Sequence, residues 1–258
     1  MEKIRQLKFV GGEFFRIFVG RKWKIMRKEF FFALLACLLV CTSGVAKKKE
    51  KRSVVRIETS MGNIRVALSD DTPIHRDNFL KLASKGFYEG TLFHRVIRDF
   101  MIQGGDPDSK GAAPGVQLGD GGPGYTLEPE FLLPYLYHWR GVIAAARESD
   151  DVNPEMRSSG SQFYIVWGKK QTPASIKKVK ATLADKGVTL TPQMVDDYIM
   201  RGGTPHLDGT YTVFGEVIEG MNVVDAIQRV ETDKQDRPLQ DVVVLKMIVE
   251  QRSKKAKP

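Results

Sequence analysis

The chain has 258 residues, of which 42% are hydrophobic and 28% charged, the composition of an ordinary globular protein with room for one sizeable domain. The net charge of +9 is concentrated at the ends, because residues 1–52 hold 14 Lys or Arg against 4 Asp or Glu, whereas residues 53–251 hold 22 against 27. The body is therefore mildly acidic, which argues against nucleic-acid binding, since phosphate backbones are bound by clustered Lys and Arg.

Residues 1–46 are predicted to be an N-terminal extension that ends in a secretory signal peptide. The basic pair Arg27-Lys28 precedes an apolar run at residues 30–40, and small residues lead to a cleavage site after Ala46. Spanning a bilayer comfortably takes about 20 apolar residues, so a cleaved signal is favoured over a retained anchor or a buried helix. We therefore expect an exported protein that is periplasmic or associated with the cell envelope.

Two alternatives stay open within this extension. Met26 is a second candidate start, because it opens a compact signal together with the basic pair that follows it. Residues 34–37, Leu-Leu-Ala-Cys, are a candidate lipoprotein cleavage site, at which Cys37 would be acylated and tether the protein to a membrane. Both cysteines, Cys37 and Cys41, precede Ala46, so a product cleaved there contains no disulfide.

Residues 47–52 are interpreted as a basic linker, residues 53–251 as the folded domain and residues 252–258 as a basic tail. Alternating apolar residues and Gly or Pro turns in the domain predict many short strands, with two strong helices outside residues 168–205. The strands are expected within 53–69 (a hairpin), 93–98, 141–147, 160–166, 211–217 and 242–249, and the helices from Thr72-Pro73 and Met221. The last strand is apolar on both faces, which favours a central or barrel-closing position. This pattern predicts an all-β fold, a closed barrel capped by two helices.

Residues 168–205 are predicted to be an inserted helical hairpin between two strands. Thr172-Pro173 begins one helix that ends at Gly187, and Thr191-Pro192 begins another that ends at Gly202-Gly203. The insertion is interpreted either as a decorated loop or as a lid or partner surface beside the site. The glycine-rich residues 119–124 are expected to be a surface loop, because they lack the Gly-Lys-Ser/Thr ending of a phosphate-binding loop.

The segment at residues 93–106 is the candidate functional site. It presents Arg95, Phe100, Met101 and Gln103 within about one strand length, before two glycines break the regularity. Arginine is almost never fully buried without a partner, so Arg95 within an apolar strand favours a site over a plain core strand. One cation, one amide and two large apolar side chains suit a neutral, apolar substrate with one polar group to polarise.

The remaining titratable residues point to no metal or cofactor. The four histidines are scattered, and the predicted mature body contains no cysteine, which is not the pattern of a metal site. His94 has the opposite strand parity to Arg95 and is expected to be a hydrogen-bonded core histidine. His75 and His138 are expected to be surface or packing residues.

Across residues 53–251 the sequence resembles the cyclophilin family of peptidyl-prolyl isomerases. Three blocks carry the resemblance in the family's order: residues 93–106, residues 160–165, and residues 207–209 followed by 213–217. The resemblance implies an eight-stranded antiparallel barrel with a helix at each end and a proline pocket on its outer surface. It also implies an exported bacterial member in which the helical hairpin is an addition to the minimal pattern.

The resemblance implies a catalytic role for Arg95 and orientation of the substrate carbonyl by Gln103. Arg147 stands where asparagine is usual, and it is expected to make the rim more cationic and to favour acidic residues next to the proline. Tyr164, His206 and Tyr211 replace a phenylalanine, an indole and a histidine of the family pattern. The implied substrate-binding residues are Phe100, Met101, Ala146, Arg147, Gln162, Tyr164, His206, Leu207 and Tyr211.

The expected function is rotation of X-Pro bonds in unfolded or loop segments of exported proteins, which assists their folding. The expected partners are proline-containing polypeptides, with membrane contact only through the signal or a lipid anchor, and we expect a monomer without a cofactor. The alternative is a catalytically weak module that binds proline peptides or acts as a chaperone through the same groove. Tyr164 and His206, which depart from the family pattern, are the residues that favour this alternative.

Overall fold

The computed structural model describes residues 51–257, so the predicted signal peptide, the alternative start and the candidate acylation site lie outside the described residues. Among residues 51–257, no helix combines the length and the apolar character that crossing a membrane requires. The helices are α1 (Pro73–Ser84), α2 (Pro173–Ala184), α3 (Pro192–Met200) and α4 (Met221–Gln228). The strands are β1 (Ser53–Thr59), β2 (Gly62–Leu68), β3 (Arg95–Ile97), β4 (Met101–Gly104), β5 (Thr126–Leu127), β6 (Val142–Ala145), β7 (Ser158–Ser159), β8 (Phe163–Val166), β9 (Val213–Glu219) and β10 (Val244–Gln251).

Eight of these strands form one antiparallel sheet in the order β10-β1-β2-β9-β6-β8-β4-β3, and β5 pairs with β7 separately. The sheet curves into an open half-barrel, so the prediction of a closed barrel is wrong. The two end strands share no ladder; the segment before β3 meets the start of β10 through the isolated bridge between Leu92 and Val243 and through a few backbone bonds, among them that from the N–H of Val244 to the carbonyl of Thr91 at 2.8 Å. β3 is only three residues long, and the N–H of Val96 bonds to the carbonyl of Asp236 in the loop before β10. That loop covers part of the edge that a closing strand would occupy.

β10 is one end strand of an open sheet, so it takes neither the central nor the barrel-closing position expected from its apolar residues. Its outer face is partly open to solvent, and Leu245 is 55% exposed. The strand still belongs to the fold, because β1 pairs with it on one side along most of its length. An apolar run therefore marked a strand correctly but not its place in the sheet.

The main core lies between the concave face of the sheet and the two helices α1 and α4. The predicted start of α1 at Thr72 is confirmed, but the Thr72 hydroxyl makes no capping bond. The carboxylate of Glu130 accepts from the backbone N–H groups of Ile74 and His75 at 3.1 and 3.0 Å instead. A carboxylate at a helix N-terminus satisfies free N–H groups and complements the helix dipole, so a distant residue does the work of the local cap.

The inserted segment forms the two predicted helices, α2 and α3. Thr172 and Ser175 make a reciprocal capping box at the start of α2, and Thr191 accepts from the N–H of Met194 at the start of α3. The hairpin has its own small apolar cluster, which includes Leu183 of α2 and Tyr198 of α3, both with no solvent exposure. Tyr137, from the segment before β6, joins this cluster and so fastens the hairpin to the rest of the domain.

Candidate active site

Neighbouring strands bring the predicted site residues onto one face of the sheet. Arg95 in β3 lies opposite Gln103 in β4, and Gln103 lies opposite Tyr164 in β8. Directly paired residues of antiparallel strands project to the same face with Cβ atoms about 4.5–5.5 Å apart. This row lies along a pocket of about 270 Å³, which we call the Arg95 pocket. The predicted site residues that line it are Arg95, Phe100, Met101, Gln103, Ala146, Arg147, Tyr164, Leu207 and Tyr211.

The other two predicted residues, Gln162 and His206, lie just beside the Arg95 pocket. Gln162 lines an adjoining groove of about 770 Å³ that shares Gln103 and Arg147 with the pocket. The His206 ring stacks on Phe100, with centroids 5.6 Å apart and an angle of 27° between the planes. Burial lowers the pKa of His206, assisted by His138, so the ring is neutral near pH 7 and serves as a flat apolar support for Phe100.

The Arg95 guanidinium sits at the mouth of the pocket and is only lightly held. Its side chain is 44% exposed, Nη1 lies 3.5 Å from Oε1 of Gln103, and Nε lies 3.5 Å from a carboxylate oxygen of Asp236. Both distances are long for hydrogen bonds, so several N–H donors stay available for a ligand. The apolar floor beside it is formed by Met101, which is buried, and by Phe100 and Leu207.

A chain of amide hydrogen bonds fixes the orientation of Gln103. Its Nε2 donates to Oε1 of Gln162 at 3.0 Å, and Nε2 of Gln162 donates to the carbonyls of Gly119 and Gly121 at 2.6 and 2.8 Å. Because each amide nitrogen is engaged, the free oxygen of Gln103 is turned toward Arg95. The geometry thus supplies a guanidinium and an oriented amide side by side.

The loop at residues 118–121 forms part of the pocket wall, although residues 119–124 were predicted to be a plain surface loop. The buried carboxylate of Asp106 accepts from the N–H of Gly119 at 2.6 Å and so draws the loop inward. Gly121 passes so close that a Cβ on it would lie 2.1 Å from a carboxylate oxygen of Asp106. Asp106 and the repeated glycines are visible in the sequence, but no local pattern predicts that they contact each other. Leu118, Gly119 and Asp120 line the pocket as a result.

Arg147 does not make the rim cationic as expected. Its side chain is 4% exposed, and Nη2 lies 2.6 Å from the Asp150 carboxylate. Nε donates to the carbonyl of Thr210 at 2.7 Å, and the guanidinium lies over the Tyr211 ring at 4.6 Å. The charge is therefore paired and screened within the protein, and Arg147 acts as a packing residue that fixes Tyr211.

Ala146 and Arg147, both among the implied substrate-binding residues, differ in how their backbone groups are bonded. The N–H of Ala146 donates to the carbonyl of Gln162 at 3.0 Å, and its carbonyl accepts from Ser159 at 2.8 Å. The backbone N–H and carbonyl of Arg147 have no partner among the described residues. Arg147 is thus the position at which a bound peptide can pair with the main chain.

A buried chain of polar side chains links the Arg95 pocket to the inserted hairpin. The Tyr164 hydroxyl lies 2.9 Å from Nε2 of His138, and Nδ1 of His138 lies 2.9 Å from Oδ1 of Asp208. The other oxygen of Asp208 accepts from the Tyr198 hydroxyl at 2.6 Å. Burial raises the pKa of Tyr164 and Tyr198 well above the ordinary value, so both hydroxyls stay protonated and can donate. The packing role expected for His138 fits its burial, but the chain itself was missed, because its members are far apart in sequence.

The remaining histidines differ in how well their ring nitrogens are satisfied. His94 is buried as expected, but no hydrogen bond of ordinary geometry reaches either ring nitrogen from the described residues. Burial lowers the pKa of His94 despite the opposing influence of Asp106, and the ring is neutral near pH 7. His75 is buried, and its Nδ1 lies 2.7 Å from the carboxylate of Glu130.

Comparisons with known proteins point to one family. A family model described as cyclophilin type peptidyl-prolyl cis-trans isomerase/CLD matches residues 54–249. A putative peptidyl-prolyl cis-trans isomerase of Staphylococcus aureus is 37% identical over 199 residues, which are 76% of this chain and 91% of that protein. A putative bifunctional phosphatase/peptidyl-prolyl cis-trans isomerase of Streptococcus pyogenes is 38% identical over 193 residues, and the match spans 74% of this chain but 37% of that longer protein.

Solved structures share the fold. A cyclophilin-type isomerase of Cryptosporidium parvum aligns with a TM-score of 0.55 at 24% identity, covering 78% of this chain and 98% of that one. A second structure, determined in the presence of the dipeptide Ala-Pro, aligns with a TM-score of 0.54 over 77% of this chain and 99% of that one. At this level of identity the likeness extends to the fold alone.

Proposed function

The chain belongs to the cyclophilin-type peptidyl-prolyl cis-trans isomerases, and we propose that it rotates X-Pro bonds in unfolded or loop segments of exported proteins with Arg95 as the catalytic cation. One observation carries the assignment of residues: the Arg95 guanidinium and the Gln103 amide oxygen stand side by side at the mouth of a small, apolar-floored pocket. This arrangement fits the prolyl ring in the pocket and the preceding carbonyl near the rim.

The chemistry needs no covalent intermediate. Rotation of a peptide bond has a barrier of about 18–20 kcal/mol, because the nitrogen lone pair is delocalised into the carbonyl. In the twisted amide the nitrogen regains that lone pair and accepts a hydrogen bond, which the planar nitrogen does poorly. A donor that meets the nitrogen only in the twisted state lowers the barrier without tightening the ground state. Arg95 stays charged at any physiological pH and carries several N–H donors, which suits it to this role.

The surroundings of Arg95 set how much that contact contributes. A hydrogen bond to a charged group is worth about 1.5–3 kcal/mol, or roughly ten- to a hundredfold in rate. Phe100, Met101 and Leu207 would exclude water around the bound ring and strengthen the contact. Gln103, held by Gln162, would fix the carbonyl side of the bond, so that the rotating half is the one nearest Arg95.

Export is the part of the proposal that rests on sequence alone. The support is the basic pair Arg27-Lys28, the short apolar run after it and the small residues before Lys47. The clients would then be proteins of the periplasm or envelope. Cell fractionation, with N-terminal mass analysis of the product, tests this part: a mature form that begins near Lys47, or at an acylated Cys37, supports export, and an intact N-terminus in the cytoplasm refutes it.

A protease-coupled assay on a proline tetrapeptide tests the isomerase assignment, together with a direct measurement of peptide binding. We expect turnover that saturates with peptide concentration, in a range that matches the measured Kd. Binding without turnover would instead identify the alternative function, a proline-peptide binding module. The same two measurements on Tyr164→Phe, which restores the phenylalanine of the family pattern and keeps the ring, show whether the tyrosine itself limits turnover.

A further inference from the structure

The inserted hairpin carries positive charge on a domain that is otherwise negative. Residues 168–205 hold seven Lys or Arg against three Asp, whereas the rest of residues 53–251 holds 15 Lys or Arg against 24 Asp or Glu. Most of these cations lie on or beside α2 and are exposed. They are Lys169, Lys170, Lys177, Lys178, Lys180 and Lys186, which we call the lysine surface. Among the described residues, Lys169 alone of the six has a carboxylate partner, Asp99 at 3.8 Å.

The lysine surface borders the Arg95 pocket at two points. α2 packs against the turn Pro205–Leu207, which supplies Leu207 to the pocket wall. Lys186 lies just beyond the end of α2, and its charge, after burial and His138, adds to the lowering of the pKa of His206. Lys169 pairs with Asp99, the chain neighbour of Phe100. The two lysines therefore approach the stacked pair of Phe100 and His206 from different elements.

We propose that the lysine surface recognises acidic residues in the polypeptide whose proline occupies the Arg95 pocket. The inference rests on the proposed isomerase function and adds a substrate class to it, proline segments flanked by Asp or Glu. Unpaired ammonium groups beside a binding site raise the local concentration of negatively charged ligands and speed their association. Charges at the edge of an interface act mainly on association, so the preference belongs in KM more than in kcat.

Arg147 does not account for such a preference, although the sequence suggested it. Its guanidinium is paired with Asp150 and stacked on Tyr211, so its charge is already compensated. Of the two hairpin lysines near the pocket, Lys186 has no carboxylate partner among the described residues, and Lys169 has only Asp99 at 3.8 Å. The preference for acidic clients is therefore assigned to the insertion and not to Arg147, which gives the insertion a role in substrate recognition.

A polypeptide fits the lysine surface better than a membrane or a nucleic acid does. Lys169 and Lys186 lie beside residues that flank a pocket of about 270 Å³ with an apolar floor, which suits one small side chain of an extended peptide. Outside the hairpin, residues 53–251 hold nine more Asp or Glu than Lys or Arg, and this negative charge would oppose the approach of an extended anionic surface. A short acidic segment can reach the lysines without approaching the rest of the domain.

The test compares two proline peptides that are identical except for Glu or Gln on both sides of the proline. With the full chain at low ionic strength, we expect kcat/KM to be about three- to tenfold higher for the Glu peptide, mainly through KM. The ratio should approach one near 1 M salt, where the screening length is about 3 Å. The double variant Lys169→Gln/Lys186→Gln should lower the ratio toward one at low salt. The matched control is Lys81→Gln/Lys85→Gln, which removes two exposed lysines at the end of α1 and should leave the ratio unchanged.

The outcomes distinguish a failure of this inference from a failure of the proposed isomerase function. Equal kcat/KM values for both peptides at low salt overturn the inference and leave the isomerase intact, and so does a ratio that falls equally in the control variant. If neither peptide is turned over, the proposed function fails, and the same comparison made on peptide Kd decides the inference. The protein could instead bind vesicles that contain anionic lipid and lose that binding in the lysine double variant, while the two peptides give equal kcat/KM values. That result would identify a membrane as the occupant and overturn the inference.

Discussion

Removing the hydroxyl of Tyr198 is expected to weaken the Arg95 pocket, although Tyr198 belongs to the inserted hairpin. Its O–H donates to Asp208 over 2.6 Å, in a place where neither residue has any solvent exposure. A hydrogen bond to a buried charged group contributes about 1.5–3 kcal/mol. Tyr198→Phe keeps the ring that packs edge-on against Tyr137, so the loss should be that of the bond alone. For a domain of this size we expect a fall in Tm of about 3–12 °C.

Tyr164→Phe removes the hydroxyl at the other end of the same chain and leaves Nε2 of His138 buried without a partner. That change alone should cost about 1–3 kcal/mol of unfolding free energy. Both hydroxyls act through His138 and Asp208, which relax once either is lost, so the two losses should not add. We expect a coupling energy of about 0.5–3 kcal/mol in the double-mutant cycle. The control is Tyr125→Phe, whose hydroxyl donates to Asn78 and is not part of this chain of hydrogen bonds.

Denaturant unfolding of the four proteins in the cycle gives the coupling energy, and the peptide assay gives its effect on the site. Tyr198→Phe should raise KM more than it lowers kcat, because the chain positions a pocket wall and touches no reacting atom. The pair of Tyr198→Phe with Tyr125→Phe should be additive within about 0.3–0.5 kcal/mol. Additive losses for Tyr198→Phe and Tyr164→Phe would refute the coupling between hairpin and pocket.

Three further predictions follow from single contacts. Gln162→Leu leaves the Gln103 amide without its acceptor, so kcat/KM should fall about tenfold in the peptide assay, and an unchanged value would remove Gln162 from the site. Glu130→Gln should lower the unfolding free energy near pH 7 by about 1–3 kcal/mol. Although burial acts to raise the pKa of Glu130, bonds from His75 hold it below its usual value, so this stability is present above the unfolded pKa of about 4.3 and is lost as pH falls. Denaturation measured from pH 7 to pH 3 should show the difference in unfolding free energy between the wild type and Glu130→Gln becoming smaller. A difference that stays constant contradicts the assignment. Gly121→Ala should loosen the loop at 118–121 and lower both Tm and kcat/KM, since its Cβ would collide with Asp106, and wild-type values for both would contradict that packing.

Local patterns predicted those parts of the protein that depend on neighbouring residues. The alternation around Arg95, and the short distance from Arg95 to Phe100 and Gln103, were enough to bring the candidate site together, because β3 and β4 form a tight hairpin. The Thr-Pro pairs marked the starts of α1, α2 and α3 for the same reason. Helix starts and hairpins depend on contacts within a few residues, which a sequence displays directly.

The errors came from partners far away in the chain. Closure of the barrel depends on how the first and last parts of the domain meet, and the loop that carries Asp236 covers that edge instead. The Arg147 side chain is held in place by the carbonyl of Thr210, 63 residues later, although its carboxylate partner Asp150 is a near neighbour in the chain. His138 finds Asp208 70 residues away. Such pairings depend on the fold as a whole, and residue spacing carries no trace of them.

The central claim, that the Arg95 guanidinium stabilises the twisted prolyl bond, is tested most directly by kcat/KM of Arg95→Ala on a proline tetrapeptide, with peptide Kd measured in parallel. The account predicts a fall of about two to three orders of magnitude in kcat/KM, as for loss of a donor that acts in the transition state, with Kd changed only a few-fold. Arg95→Lys keeps the charge but loses the planar donors, so its kcat/KM should lie between the values of the wild type and Arg95→Ala. A rate for Arg95→Ala equal to that of the wild type would contradict the account.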